Sequence, residues 1–205
     1  MIDSPLDRAF HRRLSAPISR AALARRITPN ELTLASLLAG IAAAWCFWIP
    51  TPTAAVAGLL LYIVAVVLDH ADGEVARLTL TESRVGEWLD IAVDTVVHVL
   101  IALAMGATTA KVADPLGLWL GAIAALGFTA SAIVAKTSPV PASADRIGTL
   151  LVHLGTRDGF YLMLIIFAVA LAFAPVVLPI LMMIVALGAH AYWLGRLAHR
   201  LARRS

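Results

Sequence analysis

The sequence predicts an all-α integral membrane bundle of six transmembrane helices, preceded by a cytoplasmic amphipathic helix at the N-terminus. Three observations carry that expectation. Of 205 residues, 60% are hydrophobic and only 14% charged, with a mean hydropathy of +0.87; a soluble domain has roughly 45–50% apolar and about 25% charged residues. The apolar residues gather into long runs broken by short polar connections. The cations are one-sided: every Lys and Arg except Lys111 lies in the N-terminal segment, around residues 69–90 and 136–157, or in the C-terminal tail.

Residues 1–31 carry Arg8, Arg12, Arg13, Arg20, Arg25 and Arg26, with Leu6, Phe10, Leu14, Ile18, Leu23 and Ile27 between them at near-helical spacing. A basic amphipathic helix lying on a membrane surface has this pattern. The segment has no uninterrupted apolar stretch of the kind a cleaved signal needs. Pro17 predicts a break or kink near its middle.

Residues 32–196 form the expected membrane domain. Its apolar runs fall at residues 32–49, 53–68, 91–110 and 116–135, and in a long stretch at 159–195. As one helix that last stretch would reach about 55 Å, against about 30 Å of hydrocarbon. Ala174-Pro175 is the natural break, which makes a fifth and a sixth span. Pro179 then sits in the first turn of the sixth, where a missing N–H is tolerated. The connection at 136–156, with Pro139 and Pro141, reads as a loop containing a short helix. Residues 197–205 form a basic cytoplasmic tail.

Six crossings put both termini on one side, and the cation asymmetry makes that side the cytoplasm. Trp45, Trp48 and Trp119 then gather at the outer interface as an aromatic belt. The lone Cys46 excludes an internal disulfide and a cysteine-based metal site; in an apolar run it reads as a small buried hydrophobe. Membrane lipids are expected partners, and nothing points to nucleic acid.

Four carboxylates remain to be explained. Asp69 and Asp72 end the second apolar run, and Asp90 and Asp94 begin the third. Spacings of three and four put each pair on one helix face, and the short connection keeps the two helices close. Four such charges cannot all stay ionised without cations between them. Hard oxygen ligands without cysteine select Mg²⁺, Mn²⁺ or Ca²⁺ over Zn²⁺. Two such ions suit a phosphate-bearing substrate and in-line displacement. Gly73 and Gly86 let backbone approach a ligand, and Arg77 suits a phosphate oxygen. An isolated helix-end acid is often only an interfacial charge; all four with both glycines and the arginine are not.

Residues 69–94 match the signature D-x2-D-G-x2-A-R-x8-G-x3-D-x3-D at Asp69, Asp72, Gly73, Ala76, Arg77, Gly86, Asp90 and Asp94. The sequence thereby resembles the CDP-alcohol phosphotransferases. The resemblance implies transfer of a phosphatidyl group from a CDP-linked donor, usually CDP-diacylglycerol, to a small polar alcohol, with release of CMP. It implies two divalent cations, Mg²⁺ or Mn²⁺, one held by Asp69, Asp72 and Asp90 and the other by Asp72, Asp90 and Asp94. Asp94 would also be the general base. Gly73, Ala76, Arg77 and Gly86 would line the CDP site with Asp72, and Ser83 would reach the pyrophosphate. The run from Thr28 resembles the family's approach to its first span, so Asn30, Glu31, Leu32 and Thr33 would also touch the donor. Pro29 and Asn30 also read simply as a helix start. A homodimer in a bacterial plasma membrane, with a cytoplasmic active site, is the corresponding expectation.

The alcohol depends on cations outside the signature. Lys136, Arg157 and Arg196 fall at the expected level of the aspartates. Phosphatidylinositol-phosphate synthases place basic residues at similar positions to bind the phosphate of inositol phosphate. That favours inositol phosphate, with glycerol 3-phosphate as competitor and plain cytoplasmic anchoring as the simpler reading of each cation. His98, one turn beyond Asp94, either orients that carboxylate or bonds within the bundle, the second being favoured; His70 is expected to face elsewhere. A divalent-cation or proton-coupled transporter is the alternative class. It requires polar residues continuing across the bundle, whereas here the acids stop at one depth.

Overall fold

The computed structural model describes residues 12–137 and 157–202, and among them it is helical with no strand. The helices are α1 (Arg12–Ala24), α2 (Pro29–Trp48), α3 (Pro52–Leu78), α4 (Arg84–Val112), α5 (Leu116–Thr137), α6 (Arg157–Phe173) and α7 (Leu178–Ala202), with a 3-10 turn at Pro175–Val177 before α7. Five apolar helical stretches, in α2, α3, α4, α5 and the Pro175–Ala198 stretch of α7 and its 3-10 turn, are long enough to cross a membrane. The sixth, Gly159–Phe173, is shorter. The expected loop at 138–156, Pro139 and Pro141 with it, lies outside the described residues, as do the first eleven residues and the last three.

Local chemistry fixes the helix ends. Thr28 caps α2 through a capping box with Glu31, and Pro29 occupies the first turn. Thr51 caps α3 by accepting from Ala54 N, with Pro52 in the first turn, and Ser83 caps α4 by accepting from Gly86 N at 3.0 Å. The chain leaves α3 through Leu80 at φ 56, with Thr81 N donating back to Ala76 O at 3.0 Å. The apolar runs understate two helices. α3 continues about three turns past Leu68, and α4 begins about two turns before Ile91. The signature is therefore helical apart from the connection at 79–83.

Pro17 does not end α1, which runs through it. Packing compensates for the lost backbone bond: Ser15 and Ser19 are buried, and both donate to the Glu74 carboxylate of α3, at 2.7 and 2.6 Å. Ala22 completes the contact in a small cluster with Leu32, Ala71 and Val75.

α3 packs on α2, α2 on α4, α4 on α5 and α5 on α7, while α6 closes against α3. The main core contains Phe47, Tyr62, Ile101, Met105, Leu164, Phe167, Leu178 and Met182. Between spans, lipid is as apolar as leucine, so close backbone approach and interhelical hydrogen bonds carry association. Gly106 of α4 faces Gly117 and Gly121 of α5 so closely that a Cβ there would lie 2.6 Å from Gly117 O. Thr108 Oγ1 donates to Phe47 O at 2.6 Å and Ser131 Oγ to Ala189 O at 2.9 Å. Leu34, Leu38, Ile41 and Trp45 form an exposed stripe along α2, facing where lipid would be. At the end opposite the aspartates, Lys111 Nζ donates to Trp48 O at 2.9 Å and lies over its ring. Cys46 is half-buried rather than buried.

Candidate active site

Because α3 continues through Asp72, Asp69 and Asp72 share a face one turn apart, and Asp90 meets them from α4. One carboxylate oxygen from each of Asp69, Asp72 and Asp90 lies within 4.8 Å of the others. Asp72 is buried and the other two half-buried. Thr33 Oγ1 of α2 donates to Asp72 Oδ2 at 2.6 Å. Three converging carboxylates, with neither cysteine nor imidazole among them, suit a hard divalent cation.

Asp94 lies one turn deeper along α4. With Asp69 it lines a recess of about 10 Å³ whose walls include Ser36, Tyr62, Val66 and Val97, close to the smallest space that holds one water. Its backbone carbonyl accepts from His98 Nδ1 at 2.6 Å, and its Oδ1 is 3.6 Å from the same nitrogen. That tautomer leaves His98 Nε2 to accept from Tyr62 Oη at 3.2 Å. The imidazole is packed edge-on to Phe160, with centroids 4.2 Å apart. His98 thus bonds within the bundle, and also borders the carboxylate.

Outside the aspartates a cleft of about 1020 Å³ opens, lined by the first turn of α2, the end of α3, the connection and the start of α4. Asn30, Thr33, Asp72, Gly73, Ala76, Arg77, Ser83 and Gly86 all line it. Arg77 folds its guanidinium over Gly73, where a Cβ would lie 3.3 Å from Nη1. Glu31 and Leu32 do not line it. Glu31 accepts from Thr28 N at 2.7 Å to close the capping box, and Leu32 is buried against α1 and α3.

The cleft also contains His70, against the expectation that it faces elsewhere, and residues that the signature does not include. His70 faces it, although it sits between the first two aspartates, with Nδ1 bonded to Val66 O at 2.9 Å. Thr28, Glu74, Thr81, Glu82 and Glu87 line it too. For Glu74 and Glu87 a signal existed: each is one helical position beyond a signature glycine. Of the three outlying cations, Lys136 is ion-paired with Glu87. Arg196 donates to Tyr192 Oη. Arg157 opens α6, and its side chain lies outside the described residues.

Fold and site together define a multi-pass helical membrane protein with a carboxylate centre for hard cations at one end of its bundle. The chain belongs to the CDP-alcohol phosphatidyltransferase family, whose model matches residues 26–194. Among similar proteins, the bifunctional IPC transferase and DIPP synthase of Archaeoglobus fulgidus is 36% identical over 98 residues, 48% of this chain and 19% of that protein. The archaetidylinositol phosphate synthase of Aeropyrum pernix is 37% identical over 114 residues, 48% of this chain and 56% of that one. The chain thus spans well under two thirds of these relatives. The crystal structure of Mycobacterium tuberculosis phosphatidylinositol phosphate synthase with CDP-DAG bound superposes with a TM-score of 0.70 at 21% identity, covering 91% of this chain and 92% of that one. Its complex with manganese and citrate gives 0.71 at 20% identity.

Proposed function

We propose that this protein transfers a phosphatidyl group from CDP-diacylglycerol to a small phosphorylated alcohol, releasing CMP, with inositol phosphate as the acceptor. The observation that carries the reading is the convergence of Asp69, Asp72 and Asp90 at the floor of a cleft walled by Gly73, Ala76, Arg77 and Gly86. Family membership supports the reaction class. The bound CDP-DAG of the structural neighbour supports the donor, and the inositol-phosphate relative supports the acceptor.

Asp69, Asp72 and Asp90 would hold one divalent cation, and Asp72, Asp90 and Asp94 a second, Mg²⁺ or Mn²⁺. Bound there, such ions neutralise pyrophosphate charge and stabilise the displacement. Gly73 and Gly86 admit the donor close to backbone, and Arg77 offers a planar cation to its phosphates. Thr33 and the Ser83 cap line the same cleft. Asp94, in its narrow recess, takes the proton of the acceptor hydroxyl as that oxygen bonds to the donor's β-phosphorus. The bond from β-phosphorus to the bridging oxygen breaks, and CMP leaves with the electron pair. Tyr62, Val66 and Val97 close the recess beneath Asp94. A transporter needs polar residues continuing across the bundle, where the core instead holds Phe47, Ile101, Met105, Leu164 and Phe167, so the one-sided site favours an enzyme. Active site and termini then face the cytoplasm, where the cations gather.

The deciding experiment is an acceptor screen scored by CMP release from CDP-diacylglycerol, with and without EDTA. Metal-dependent release with inositol phosphate, ahead of glycerol 3-phosphate and serine, is expected. Inactivity with every acceptor would sink the reading; preference for glycerol 3-phosphate or serine would replace the acceptor alone.

A further inference from the structure

The signature does not account for the charge that faces Lys136. This residue lies in the last turn of α5, and its ammonium is paired with Glu87 at the start of α4. The Trp88 ring centroid lies 5.3 Å from the same nitrogen. Glu87 lines the donor cleft, three residues before Asp90. The pair is unequal, with side-chain exposure of 22% for Lys136 and 60% for Glu87.

We propose that Glu87 is a built-in counter-anion for Lys136 that the acceptor's phosphate displaces, so that acceptor binding is an anion exchange at the cleft rim. The proposal rests on reading Lys136 as a phosphate-binding cation. The physical case follows from the inequality. A lysine side chain that is mostly covered holds its charge at a cost unless a counter-charge is near, and Glu87 supplies one while no acceptor is bound. An exposed carboxylate gives up only a weak ion pair and is rehydrated by water once displaced. A phosphate brings more charge and more acceptor oxygens to the same ammonium. Trp88 offers a neutral π face that remains after the exchange and keeps the ammonium in place. An acceptor without a phosphate cannot dislodge Glu87, so the same residue disfavours uncharged alcohols. Glu87 acts through Lys136 and is a specificity-determining positioning residue.

The test uses the purified full chain in detergent, with inorganic phosphate as a probe that needs no turnover. Its apparent dissociation constant is read by thermal shift, alongside acceptor KM. Glu87→Gln is expected to lower both by about two- to fivefold, the range of an exposed ion pair. Any change in donor KM is smaller, because the ion pair that Glu87 makes is with Lys136. In a Lys136→Ala background the same substitution has no effect. If Lys136→Ala by itself changes neither constant, the reading of Lys136 falls. If Lys136→Ala raises both while Glu87→Gln fails to lower them, the phosphate site stands and the exchange is overturned. Glu87→Asp keeps the charge and is expected to track the wild type; a drop equal to that of Glu87→Gln would assign the effect to lost packing and overturn the proposal.

Discussion

The Thr33 hydroxyl lies 2.6 Å from Asp72 Oδ2, in a buried contact that joins the start of α2 to the last two turns of α3. A residue outside the signature thus donates to its most buried carboxylate. The register of α2, set by Pro29 and the Thr28–Glu31 cap, decides whether that hydroxyl arrives.

Thr33→Val keeps the side-chain shape and removes the donor. A hydrogen bond to a charged group contributes about 1.5–3 kcal/mol, so the metal concentration for half-activation should rise by about tenfold or more. Thr33→Ser should restore it. A titration of CMP release against Mn²⁺ makes the comparison, and an unchanged midpoint in the valine variant would remove Thr33 from the site.

Asp94→Asn keeps the recess filled and removes the base. Turnover should fall by at least about 100-fold, the lower end of general-base contributions, with CDP-donor affinity close to wild type. Single-turnover CMP release and equilibrium donor binding are the paired measurements. Equal loss of both would assign Asp94 to donor binding instead.

Gly73→Ala puts a Cβ 3.3 Å from Arg77 Nη1, so the guanidinium must shift to admit it. Donor KM should rise while acceptor KM stays fixed. Arg77→Ala should raise donor KM by about tenfold, as expected for a lost charge-assisted contact. The double variant should be no worse than Arg77→Ala alone, because both changes act on one group. Additive effects in steady-state kinetics would separate the two residues.

Gly106→Ala and Gly188→Ala form a matched pair for stability. At Gly106 a Cβ meets backbone of Gly117 and Gly121, at 2.6 and 2.7 Å, where nothing flexible can yield. A loss of about 1–3 kcal/mol is expected. Gly188 lies within α7 with nothing inside 4 Å, so alanine there should be neutral or stabilising by up to about 1 kcal/mol. Thermal denaturation in detergent should move the two midpoints in opposite directions or leave the second unchanged.

The aspartates could be located from the sequence because helical spacing and an apolar setting are local properties. Asp69, Asp72 and Asp90 lie in one stretch of chain, joined by a turn too short to part their helices. The Glu87–Lys136 pair could not be found that way. Its partners are far apart in sequence and meet only because α4 and α5 pack backbone to backbone. Pro17 locally predicts a break, yet tertiary contacts from Ser15 and Ser19 hold its helix together. The extra turns of α3 and α4 escape the hydropathy pattern for a related reason: hydropathy marks where a helix leaves lipid, not where it stops being a helix. Glu31 has the right position for a donor contact, but its carboxylate is committed to capping its own helix.

The glycine contact at Gly106 has a mechanical meaning for the metal centre. Asp94 lies twelve residues along the same helix, about 18 Å away. α4 is held there by atoms that cannot be compressed, and toward its other end it carries Asp94 into the narrow recess and Asp90 into the cleft. As a rigid helix pivoting about that contact, it has a lever arm of that length. A tilt of only about 3° at the contact moves Asp94 by about 1 Å over that length. Coordination distances tolerate about a fifth of that. The spacing of the carboxylates is therefore set partly by residues that touch neither metal nor substrate, and a single added methyl at the far end can detune the centre without altering any of its ligands.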